Sequence, residues 1–137
     1  MKHNLLGMVL VGVVVFGCNG STDTGVPVVL QVSQISAPAS VAAGSSFGVN
    51  LSVGVGSCLV FDHIEIRNSA SDILLTVWGT DVSGVPVSVP PGVGDLSCAP
   101  PKTEVRSVTV EAGSPGTLTL VVERGRLSPL TTAVLVQ

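Results

Sequence analysis

The chain has 137 residues, 45% hydrophobic, 3% aromatic and 11% charged, with nine acids against six Lys and Arg for a formal net charge of −3. No run of Lys and Arg builds the basic face that nucleic acid requires, so nucleic acid is excluded as a partner. Beyond residue 18, Val, Ser, Gly, Thr and Pro dominate, the palette of β-branched strands and Gly/Pro/Ser turns.

The amino-terminal residues read first as an export signal. Lys2 supplies a positive start, residues 5–16 form an apolar run without a charge, and Gly17 precedes Cys18. Such a run fits a signal-peptide core of about 7–15 residues and falls short of the roughly 20 that a membrane-spanning helix needs. The stretch Val15-Phe16-Gly17-Cys18 resembles a lipobox, the site where bacterial lipoprotein precursors are lipidated and cut. Val15 and Gly17 suit the pattern and Phe16 departs from it. The resemblance implies that residues 1–17 are a lipoprotein signal peptide. It also implies that the Cys18 thiol takes a diacylglyceryl group and becomes the first residue of the mature chain. Two or more acyl chains anchor stably where one anchors marginally, at about 0.8 kcal/mol per buried methylene. The implied address is the cell membrane or outer membrane, lipid-anchored and extracytoplasmic. Asn19 stands where some bacteria use Asp to retain lipoproteins at the inner membrane, which favours the outer one. Ordinary cleavage after Gly20 and an uncleaved anchor are the alternatives at these residues.

Three cysteines are an odd number for an exported chain. With Cys18 assigned to lipid, Cys58 and Cys98 are left as a pair, and a disulfide is their expected state outside the cytoplasm. It would close a loop of roughly 40 residues, worth about 4 kcal/mol in the loop-entropy model. A metal site is the rival, but two isolated cysteines lack the close spacing of a zinc motif.

After Cys18, residues 19–27 read as a flexible tether, so that 18–27 is lipidated cysteine plus leader and 28–137 is one domain of about 110 residues, enough for a core. From Val28 onward the period is two. Strands are predicted over 28–35, 47–55, 59–67 and 73–79. In the second, Phe47, Val49, Leu51 and Val53 share a face. The third and fourth pair antiparallel across the turn 68–72, with His63, Glu65 and Arg67 on one face and Ile64 and Ile66 on the other. Trp78, the one Trp, is expected to anchor the core or cover a sheet edge. Residues 80–103 form an unusually long connection. Val85, Val87 and Val89 alternate within it, and Pro86 confines any strand there to an edge. Strands follow over 104–111, 117–123 and 130–137. Val105 is out of phase with Val108 and Val110, which predicts a late start or a bulge. Gly125 and Pro129 bracket the last turn.

About seven strands at short spacing indicate an all-β antiparallel sandwich. The run from Ile35 through Pro38, Val41 and Gly44 to Phe47 resembles the opening of bacterial immunoglobulin-like modules. There a first strand gives way to a Pro-containing bend, a Val-x-x-Gly turn and a second strand. The resemblance implies an immunoglobulin-like sandwich over 28–137. The chain has no Tyr for a tyrosine corner, and its cysteines do not fall mid-strand as in antibody domains.

Chemistry is sparse. His63, the one His after the signal, sits between Asp62 and Ile64 on a solvated strand face, and no Gly-x-Ser-x-Gly frames a nucleophile. Asp62, Asp81 and Asp95 make no Asp-x-Asp-x-Asp run for calcium. Phe47, Phe61 and Trp78 are the only aromatics available to a sugar. Residues 123–126, Glu-Arg-Gly-Arg, form a charged hairpin tip that could touch lipid headgroups or simply solubilise the turn. The expectation is a non-enzymatic lipoprotein without cofactor or metal, an interaction or structural module of the envelope. It contacts the membrane through Cys18 and an envelope protein through the loop carrying Val85, Val87, Val89 and Asp95, since loops on a rigid scaffold commonly hold recognition. Strand addition to an open sheet edge is a second route to a partner. An accessory or small-ligand or carbohydrate binder using the same 80–103 loop is the alternative.

Overall fold

The computed structural model describes residues 25–84 and 98–137. Over these residues the chain is all-β, with nine strands in two sheets and no helix. The strands are β1 (Val26–Val29), β2 (Val32–Ser36), β3 (Ser40–Val41), β4 (Ser46–Val55), β5 (Leu59–Asn68), β6 (Asp72–Asp81), β7 (Lys102–Glu111), β8 (Gly116–Arg124) and β9 (Leu127–Val136). Alternation of apolar and polar residues places successive side chains on opposite faces. In β4 it buries Phe47, Val49, Leu51, Val53 and Val55. Ile73, Leu75 and Val77 of β6 meet them from the other sheet, with Leu120 and Val122 of β8 and Val134 and Val136 of β9. Each such side chain contributes about 1.5–3 kcal/mol when fully buried.

The smaller sheet runs β2-β4-β7, antiparallel throughout. The larger is built on β6 and curls into a half-barrel. β5 pairs antiparallel along one edge of β6. The other edge is shared, by β1 antiparallel at residues 78–81 and by β8 parallel at 72–75. β9 follows β8 antiparallel, and β3 closes the row with a short parallel ladder to β9.

Several expectations are corrected here. Nine strands replace seven, and two of the ladders are parallel, so the arrangement is not purely antiparallel. The single strand expected over 28–35 is two strands in different sheets. At the break, Leu30 N–H still donates to Val77 O of the larger sheet at 2.8 Å, while Gln31 O accepts from Gly54 N–H of the smaller one at 2.9 Å. The first ladder residue is Val26, inside the expected tether. The long connection shrinks to 82–101, because Asp81 pairs with both Val26 and Leu59, and Lys102 pairs with Val55. The last strand starts at Leu127, so Pro129 lies within it rather than closing the turn. β7 pairs with β4 in one unbroken register, with no bulge at Val105, which simply faces outward. The register shifts fall instead at residues 32/34, 61/63 and 122/124.

Candidate functional site

β4 ends the smaller sheet at Val55 and β5 begins in the larger at Leu59, so the chain changes sheet through Gly56, Ser57 and Cys58. Gly56 and Leu59 exchange backbone hydrogen bonds, each 2.9 Å. Ser57 and Cys58 between them have φ of 49° and 71°. Two central residues at positive φ inside reciprocal bonds make a type I′ turn. Holding a non-Gly residue there costs about 1 kcal/mol or more.

That strained pair fastens both ends of one connection. Val82 N–H donates to Cys58 O at 2.9 Å as the chain leaves β6, and Ser57 N–H donates to Ala99 O at 2.6 Å as it returns to β7. Cys58 and Cys98 are joined by a disulfide, with Cα atoms 4.7 Å apart. Gly56 is a close approach as well, since a Cβ there would overlap the Pro100 carbonyl.

Two grooves flank this corner. The larger, about 380 Å³, is bounded by Gln31, Gly54, Gly56, Ser57, Pro101 and Thr103. The smaller, about 210 Å³, has Leu59 and Phe61 on one side and Lys102, Glu104 and Arg106 on the other. The Arg106 guanidinium stands 4.4 Å from the Phe61 ring centroid, a cation–π contact. Glu104 accepts from Lys102 Nζ at 2.6 Å and also from Arg106. The Lys102 hydrogen bond, with help from Arg106, holds the Glu104 carboxyl below its ordinary range against the opposing effect of burial.

A second polar cluster covers the outer face of the larger sheet. Trp78 Nε1–H donates to Glu65 Oε2 at 2.9 Å across the β5–β6 ladder, and Arg67 Nε–H donates to Glu65 Oε1 at 2.8 Å. These two bonds, Trp78 first, hold the Glu65 carboxyl low. Buried Thr76 donates to Glu123 Oε2 at 2.8 Å. Trp78 therefore neither anchors the core nor covers an edge; it is half-buried on the outward face of a central strand, where its N–H has a partner.

Of the residues singled out from sequence, Cys58 and Cys98 are brought together. Cys18, Val85, Val87, Val89 and Asp95 lie outside the described residues. His63 is exposed and bonds through Nδ1 to its neighbour Asp62 at 2.9 Å. Asp81 accepts from Ser83, which lowers its carboxyl. Sequence reasoning missed Ser57, Val82 and Ala99 as the fastening points, and missed the Glu65–Trp78 bond. Its available signals were Gly56 directly before Ser57-Cys58 and the period-two alternation that puts Glu65 on the face of Thr76, diagonal to Trp78. Among the described residues no group of three or more His, Cys, Asp or Glu could hold a metal ion, and no helix is long and apolar enough to cross a membrane. No family model, curated protein or solved structure matches the chain.

Proposed function

We propose that the chain is a bacterial lipoprotein, anchored through acylated Cys18, whose disulfide-stapled β domain is a non-catalytic interaction or structural module of the cell envelope. The observation that carries this reading is the disulfide. Two of the three cysteines are consumed by Cys58–Cys98, a bond that persists in oxidising, extracytoplasmic compartments. The remaining cysteine is the one that ends the charge-free apolar run and the lipobox-like stretch. An immunoglobulin-like plan for the domain is supported by the β2-β4-β7 sheet, which repeats the A-B-E order of such sandwiches. The second sheet departs from that plan, because β6 rather than β5 lies beside β8, and in parallel.

The contact surface of this reading is the connection 82–101, fastened at the corner. Both feet are fixed on the turn that carries Cys58, and loops held on a rigid scaffold commonly carry recognition. Small-ligand binding at the same corner is the second reading, favoured by the groove of about 380 Å³ beside Gly56. Labelling cells with a fatty-acid analogue should mark the wild type and leave Cys18→Ser unmarked; equal labelling of both overturns the anchor. Deleting residues 85–95 with the domain still folded should abolish envelope-partner pull-down, and an undiminished pull-down moves the contact elsewhere.

A further inference from the structure

We infer that the corner end of the domain is a membrane-contacting face for anionic phospholipid, an inference that rests on the anchoring proposed above and gives the corner to lipid in place of a protein partner. Three observations converge on it.

The first is where the anchor would pull. Seven residues, 19–25, separate Cys18 from Val26, and that stretch spans no more than about 29 Å even fully extended. Val26 pairs with Asp81, Asp81 pairs with Leu59, and Val82 bonds to Cys58. The amino-terminal strand thus enters at the same end as the disulfide corner. The opposite end lies a strand length away, about 33 Å for ten residues. With the domain inverted, even a fully stretched leader falls short of that distance.

The second is charge. The β8–β9 hairpin tip belongs to the corner end: Gln31 Nε2 donates to Arg124 O at 3.3 Å, and Gln31 O accepts from Gly54. A groove of about 320 Å³ runs between Gly54, Thr103, Arg124 and Leu127. Among the described residues, the stretches 56–58, 81–84, 98–102 and 124–127 at this end contain Lys102, Arg124 and Arg126 against the single acid Asp81. Lys102 is shared with Glu104, whereas Arg124 and Arg126 have no ion pair among the described residues. At the other end the turns 42–45, 69–72 and 111–117 contain Asp72 and Glu111 and no cation. The domain is therefore polarised, with its basic end beside the leader. The third is apolar exposure at the same end: Val26, Val60 and Leu127 are each more than half exposed. Basic side chains interleaved with exposed aliphatic ones suit an interface of phosphate headgroups over acyl chains.

Hydrogen exchange of the full chain, reconstituted in phosphatidylglycerol-containing vesicles and in pure phosphatidylcholine vesicles, tests this. Protection on the anionic vesicles is expected at 56–59, 98–102 and 124–127, with none at 42–45, 69–72 and 112–117. High salt should erase it. Each basic residue near an anionic surface is worth about a fivefold change. Arg126→Ser, at a fully solvated turn, should lower the protection by about that factor, and Arg124→Ser with Arg126→Ser by on the order of 20-fold. Protection at the opposite end, no protection, or protection indifferent to both substitutions overturns the inference. So does protection without vesicles that rises with protein concentration, which would assign the face to a second copy. Intact mass of the same sample separates the two ideas. An unacylated chain defeats the anchor, and its binding to anionic vesicles through the corner, or failure to bind, still decides the face.

Discussion

At the scale of single residues, the corner is held by positions with little freedom to vary. Gly56 combines φ of +86° with a missing Cβ where the Pro100 carbonyl sits. Gly56→Ala is expected to cost about 2–3 kcal/mol through strain and overlap together, read as a lower urea midpoint at unchanged slope. Ser57 occupies the turn position where Asn or Gly is favoured. Ser57→Gly should therefore stabilise by about 0.5–1 kcal/mol if relief of strain outweighs the entropy that glycine gains in the unfolded chain, and a loss of stability would show that the Ser57 side chain matters in its own right. Glu65 gives a pH signature. Its carboxyl is held low first by the Trp78 indole and then by Arg67. A depressed carboxylate stabilises the fold fully above its unfolded-chain value, and that contribution fades as pH falls through the lower folded value. Fluorescence of Trp78, the one Trp, should change on acidification below the ordinary carboxylate range, and Glu65→Gln should remove that step.

At the scale of elements, the disulfide is the clearest lever. It links residues 40 apart, and the loop-entropy model assigns such a closure about 4 kcal/mol. Cys58→Ser combined with Cys98→Ser should lose close to that amount in denaturant unfolding; a loss under about 1 kcal/mol would mean the reduced chain already holds its ends together. The strands themselves were largely legible, because period-two burial is local: Phe47, Val49, Leu51 and Val53 announce β4 without any partner. The crossing between β1 and β2 was not. Leu30 and Val32 are both buried, one beside each sheet, so the alternation runs through the switch without a mark. Strand order was equally silent, since nothing in Ile73 or Leu75 says whether β8 or another strand lies alongside. The pairing of Cys58 with Cys98 was legible from compartment and count. The turn that presents Cys58 was not, because Ser and Cys carry no signal for positive φ.

At the scale of the whole molecule, a curled larger sheet and a smaller one share one core, and the connections gather at opposite ends with opposite charge character. That polarity, rather than any one side chain, gives the domain a top and a bottom. The sheet margins add a further property. Among the described residues β7 pairs only with β4, leaving a ten-residue margin open. Along it Glu104 and Arg106 share the inward side with Val108 and Val110, and Arg106 lies over Phe61. A foreign strand zipped onto this margin would have to desolvate both ionic groups, a device that discourages edge-to-edge growth. On the far side of the molecule Pro129 lies in β9, where it withholds an amide from any newcomer. Along these two margins, copies crowded into a thin film could therefore jostle at high density without knitting together.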